Sequence, residues 1–298
     1  MRYLPLLALF PASLLGLTIN FSDYNIEVGL EASYDVRADG TWEGWDPGVT
    51  SWDFSDYTSI DSAWVEVVDP SGQPGSGSFG EAEYCEIMEI PDYDTIYSYF
   101  TPSGFGAMGT VEQYGVYTTY EGIGVTAEFS SVRDVFVFPM DVGSTWSADF
   151  EWDVEIWPFT YHFHETHDVE IVGEGIVKVP ASGEDWWECL VMRDHFTHVD
   201  DFGNDEDRWI YVWLVPKGFD GAGFPSTNGV FVISGYNGCT PEFTEYEVAL
   251  AMRRTTADPD PWQDLTRSTW GAIKATGRFS FIWLPLPFGS QRFPGFGS

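Results

Sequence analysis

Apolar and polar residues alternate with a period of two through most of this chain. Between positions 148 and 156 the even residues are Ala148, Phe150, Trp152, Val154 and Ile156, and the odd ones are Asp149, Glu151, Asp153 and Glu155. Such alternation sets one face of a strand in a core and the other in water. Similar patterns predict strands over residues 25–34, 63–68, 132–138, 167–179, 188–197, 229–234 and 244–253. Residues 208–215 (RWIYVWLV) are apolar on both faces after the first position, which predicts a central strand covered on each side. At least two layers follow.

Turn residues separate these segments. The stretches 69–75 (DPSGQPG) and 220–223 (DGAG) supply the fixed φ of Pro and the positive φ of Gly that chain reversals need. One helical signal competes with a strand: over residues 261–275, Asp260 can cap, Pro261 can enter the first turn, and Trp262, Leu265 and Ile273 share part of a stripe. No period of 20–50 residues repeats. The predicted fold is all-β, an antiparallel curved sheet or β-sandwich with at most one short helix near the C-terminus. Residues 1–18 read as a signal peptide, 19–280 as a single all-β domain, and 281–298 as an apolar Pro/Gly-rich tail. A division of the domain into two β subdomains would fall near residue 140.

Composition sharpens this picture. Among 298 residues, 47 Asp+Glu against 13 Lys+Arg give a formal charge of −34, with 14 Trp, 15 Tyr and 23 Phe. Disordered acidic tails are poor in aromatics, so this chain is expected to fold. A field of this sign excludes nucleic acid as a natural partner. Residues 253–298 reverse it, with a net charge of +3 against −37 for the rest. Arg2 followed by the apolar run 3–17 matches a signal-peptide core and is too short to span a bilayer, so a secreted or periplasmic protein that does not span the membrane is expected. Cys85, Cys189 and Cys239 form no C-x-x-C pair and allow at most one internal disulfide, in any of three pairings.

Four constellations could carry chemistry. Glu151, Asp153 and Glu155 form an E-x-D-x-E strand that resembles the catalytic strand of jelly-roll β-glucan hydrolases. That resemblance implies Glu151 as nucleophile, Glu155 as acid/base and Asp153 as their modulator, in a retaining mechanism with carboxylates about 5–5.5 Å apart. On a straight strand, residues four apart are separated by about 13 Å, at about 3.3 Å per residue. Solvated outward-facing acids account for the pattern without chemistry. All five histidines lie between His162 and His198, and His162 and His164 share a strand face, a spacing suited to a transition metal. If a hairpin turns near Gly183, His167 faces about Asp200 and His164 about Gly203. Asp200, Asp201, Asp205 and Asp207 crowd a turn around Gly203, where oxygen ligands suit Ca²⁺, although EF-hand spacing is not met. Finally, Trp42 and Trp45 sit in a Gly/Pro-rich loop, either plugging the end of a sandwich or offering indoles for a sugar to stack on.

One longer stretch carries a family resemblance. Asp141-Val142-Gly143-Ser144-Thr145-Trp146 is followed by Val177-Lys178-Val179-Pro180-Ala181, then Trp187-Glu188-Cys189-Leu190-Val191-Met192-Arg193, then Trp213-Leu214-Val215-Pro216-Lys217-Gly218. This resembles the "V-G-x-x-W … V-x-V-P-A-G-x-F-x-C-L-x-x-R … W-Y-x-P-x-G" pattern of uncharacterised exported bacterial β-rich proteins. Their sheets are similar to the half-barrel of lipoprotein carriers. Here the turn after Ala181 is lengthened, Trp187 replaces Phe and Leu214 replaces Tyr. The resemblance implies fold and brings no catalytic residues.

The expected function is therefore that of a secreted or periplasmic, non-catalytic β protein, binding or structural at the cell envelope. Glycans and apolar molecules are the candidate ligands, and no cofactor is expected beyond the candidate Ca²⁺ site. The alternatives are a glycan hydrolase using Glu151 and Glu155, and a half-barrel carrier of an apolar ligand.

Overall fold

The computed structural model describes residues 16–24, 26–59, 61–90, 94–120, 122–156, 159–201, 203–216 and 229–255. Nearly all of the signal-peptide segment, the 220–223 reversal, the helical signal at 261–275, the 281–298 tail and most of the basic stretch lie outside the described residues.

The fold is all-β, as the alternation predicts. Its strands are β1 (Glu31–Thr41), β2 (Ser51–Asp53), β3 (Ser62–Val68), β4 (Tyr84–Glu89), β5 (Ile96–Phe105), β6 (Met108–Tyr120) and β7 (Ile123–Phe138). They continue with β8 (Thr145–Ile156), β9 (Phe159–Lys178), β10 (Trp187–Asp200), β11 (Glu206–Leu214), β12 (Phe231–Gly235) and β13 (Glu245–Thr255). All belong to one large, curved, unclosed sheet. Its order runs β2-β9-β10-β11-β12-β13-β1-β3-β4-β5-β6-β7, with β8 on β9 beside β2. Neighbours are antiparallel except β2, which pairs in parallel with β9 through Trp52↔Val177.

Strand β11 is central, as its apolar run predicts, and residues 210–214 are all buried. Its Tyr211 and Trp213 anchor an aromatic layer. Trp42 packs on Tyr211 and Trp213, Trp45 stacks on Tyr211 at 5.3 Å and on Trp52 at 6.0 Å, and Phe54 lies parallel to Phe231 at 3.7 Å. The two loop tryptophans therefore plug the fold. Their approach depends on two glycines of β9. A Cβ on Gly173 would meet the Trp45 ring at 2.8 Å, and one on Gly175 would meet the Thr50 carbonyl oxygen at 2.1 Å. No side chain fits where this arm crosses the strand.

Two expectations need correction. The segment predicted at 25–34 forms a strand only from Glu31, and that strand runs on to Thr41. The β9–β10 hairpin turns about the single 3₁₀ turn Pro180–Ser182, with Val177 opposite Trp187. That turn and a bulge at Val191/Met192 place His167 opposite Phe196, and His164 opposite Val199. Both partners lie four residues earlier than the Asp200 and Gly203 expected of a turn near Gly183.

Candidate functional site

The sheet's two ends meet at β7 and β8. Strand β8 pairs with β9 in unbroken antiparallel register, from Thr145↔Glu170 to Ile156↔Phe159. On its other side, among the described residues, no ladder joins it to β7. Two serines clamp the edges instead. Ser130 Oγ accepts from the Glu151 N–H at 2.9 Å, and Ser131 Oγ donates to the Asp149 carbonyl at 3.0 Å. Past this clamp the edges enclose an open groove of about 530 Å³, lined by residues 124–126, Glu128 and Ser130 of β7 and by residues 151–155 of β8.

Backbone directions along β8 follow from these bonds. In an antiparallel pair, the N–H and C=O of one residue point to the same side, and the side alternates along the strand. Since Asp149 and Glu151 direct these groups toward β7, Asp153 and Glu155 do so as well. The opposite strand agrees: His162, which faces Asp153, directs its own N–H to Asp201 Oδ2 at 2.9 Å and accepts the Asp201 N–H at 3.3 Å. Among the described residues, the groove is thus lined by open β-strand edge.

All three predicted acids, Glu151, Asp153 and Glu155, line this groove and are exposed, whereas Trp152 and Val154 between them are buried. Asp153 pairs with the His162 imidazole, and that hydrogen bond together with the carboxylate charge raises the His162 pKa. His164 pairs with Asp149 at 2.8 Å. The two histidines that shared a face each face a carboxylate of β8 rather than a common metal position. In the β10–β11 hairpin, Asp200 accepts from the Asn204 backbone and side chain at 2.9 and 2.7 Å. Asp201 serves His162, Asp207 pairs with His195 at 2.8 Å, and the Asp205 carbonyl accepts from Asn237 at 2.8 Å. Among the described residues, no group of three or more His, Cys, Asp or Glu side chains is arranged to hold a metal. Cys85, Cys189 and Cys239 are free thiols, and burial pushes Cys85 up to about 12.

On the inner face of the same strands lies a cluster that the sequence reading did not assemble. His167 Nδ1 meets Asp194 Oδ2 at 2.8 Å, His198 Nδ1 meets Glu165 Oε1 at 3.0 Å, and His167 Nε2 lies 3.8 Å from Glu165 Oε2. From β7, Arg133 joins them and donates to Gln113 Oε1 at 3.3 Å. All six side chains are buried. Burial alone would raise the Glu165 pKa, but the neighbouring His167 and the hydrogen-bonded His198 outweigh it and hold the carboxyl below its ordinary value. Burial works against protonation of both histidines. Asp194 and Glu165 overcome it for His167, and Glu165 for His198, so both rise above the usual imidazole value. A second ionic set continues across the sheet, where buried Arg208 contacts Glu206 and Glu247 at 2.7 Å each. Trp152 connects interior and groove: it lines the groove, stacks on Phe163 at 5.3 Å and packs near His198 at 5.9 Å. The one available sequence signal was the even parity of Asp194, His198 and Asp200 within an apolar inner register.

No family model matches this sequence, and no curated protein matches it. Among solved structures, the chain is similar to one described as a "putative exported protein with YmcC-like fold" from Bacteroides fragilis NCTC 9343. The identity is 9% and the TM-score 0.31, over 80% of this chain and 99% of that one.

Proposed function

We propose that this chain is an exported, non-catalytic binding protein of the cell envelope, with the β7/β8 groove as its binding surface. The observation that carries this reading is the groove itself: an opening of about 530 Å³ along a strand edge held apart by a two-serine clamp. It combines an apolar base at Val125, Val154 and Trp152 with carboxylates on its outer side, a mixture suited to binding. Export rests on the leader pattern of residues 1–18. An interior carrier site is less well supported, because aromatic rings pack face-to-face and edge-on in the interior around Tyr211, Trp213 and Phe231.

The hydrolase reading is favoured by one observation, that Glu151, Asp153 and Glu155 all line the groove. The regular β8–β9 register opposes it. With no bulge between Glu151 and Glu155, their backbones stand about 13 Å apart. The Asp153 carboxylate that would lie between them is engaged by His162.

Hydrogen exchange on the full chain tests the binding reading. Soluble envelope polysaccharides, lipid vesicles, peptides and Ca²⁺ are added one at a time, while product release is followed in parallel. A ligand that slows exchange at residues 124–130 and 151–155 without turnover is the expected result. Release of sugar that stops in Glu151→Gln would overturn it in favour of hydrolysis, and protection confined to other regions would remove the groove.

A further inference from the structure

We propose that the β7/β8 groove receives an extended, basic peptide segment of a partner protein, added as a strand along the open edge of β8. This rests on the groove being the binding surface and names the chemistry of its ligand. The backbone argument comes first. Asp153 and Glu155 present two N–H and two C=O groups toward the groove, alternating at strand spacing, and β7 leaves them unmatched beyond Ser130. A peptide strand is the ligand whose own donors and acceptors repeat at that spacing.

Natural sheets blunt open edges with Pro, bulges or Lys. Between Thr145 and Ile156, β8 has neither Pro nor bulge, and its edge is acidic instead. Glu151, Asp153 and Glu155, with Glu128 across the groove, repel another acidic strand, including the β8 edge of a second copy of this chain of charge −34. They attract a cationic one. The two faces of an inserted strand meet different surroundings: its outward side chains reach the carboxylates, and its inward ones lie over Val125, Trp152 and Val154, which are buried. The matching segment alternates Lys or Arg with Val, Ile or an aromatic over about five residues, the length of edge exposed.

Fluorescence anisotropy with labelled eight-residue peptides and the full chain at low salt tests this. An alternating Lys-Val peptide should bind, and a Glu-Val peptide should not. N-methylation of every second amide of the Lys-Val peptide removes strand donors without changing charge, and should weaken binding at least about 10-fold. Glu151→Lys/Glu155→Lys, two exposed changes whose folding is checked by thermal melt, should weaken it at least about 10-fold. Hydrogen exchange should slow at the Asp153 and Glu155 amides on binding. Equal affinity for the N-methylated peptide would overturn strand addition in favour of charge attraction alone, and so would absence of Lys-Val binding. Concentration-dependent protection of these amides without peptide would overturn it in favour of a second copy. If a polysaccharide protects the groove while peptides do not, this inference fails and the binding reading stands. If nothing added protects it, both fail.

Discussion

Strands β8 to β10 carry acid–histidine pairs on both faces, and the two faces differ in what those pairs do. Outside, His162–Asp153 and His164–Asp149 sit in water, with side chains 43–75% exposed. Inside, His167–Asp194 and His198–Glu165 have side chains at most 7% exposed and share an interior with Arg133. In water the attraction between such groups is screened and nearly offset by hydration. In the interior each charge has surrendered its hydration and depends on its partner. The same two residue types thus leave a solvated charged face outside and a fixed structural network within.

Removing one buried partner should have the largest effect. Asp194→Ala takes from His167 and Arg133 one of the two buried carboxylates that balance them, leaving Glu165 alone, and should cost about 3–5 kcal/mol in urea unfolding. A value near that of an exposed pair would erase the distinction between the faces.

The pH dependence of stability should come next. His167 and His198 have folded pKa values above 6.5, so their contribution is complete below about pH 6.5 and is lost as pH rises through the raised values. Glu165 has a folded value below 4.5, so its contribution is complete above that pH and is lost as pH falls through the lowered value. The cluster therefore stabilises most between about pH 4.5 and 6.5. Urea midpoints measured from pH 5.5 to 8.5 should fall with rising pH, and less steeply in His198→Gln. An identical slope in that variant would show that the buried histidine is not the group titrating.

The clamp should matter less. Ser130→Ala/Ser131→Ala removes two hydrogen bonds and should cost about 1–3 kcal/mol together, with faster exchange at the Glu151 amide. Unchanged exchange there would place the edge-holding contacts elsewhere. Smallest of all, Asp153→Asn on the outer face should leave the thermal midpoint unchanged and return the His162 pKa, followed by NMR, toward its ordinary value. A drop in midpoint would show that the outer pair is structural too.

Much of the local structure is legible in single residues. Ala148, Phe150, Trp152 and Val154 face inward and their acidic neighbours outward, as the alternation requires, and the two-sided apolar run of β11 is central. Strands β4 to β6 escaped the pattern for physical reasons. Glu86, Gln113 and Thr118 are buried where an apolar residue signals a core, and Gly115 interrupts β6 with a register shift. The candidate acids were visible as a motif, but their setting was not. The gap that makes a groove of Glu151, Asp153 and Glu155 depends on β7, which the sequence pattern recognised only from residue 132 onward.

Which side chains each strand turns inward follows from residue order alone, because a pleated strand alternates its side chains whatever it pairs with. The acidity of the outer face follows from it too. Which inward residues meet is set by the assembled sheet. His167 and Asp194 come together because a turn at Pro180–Ser182 and a bulge at Val191/Met192 set the register of β10 on β9. Arg133 reaches them because the sheet curves far enough to bring β7, at one end of its order, against β8 at the other. Register and curvature sum small displacements over many residues, and no short window of sequence contains that sum.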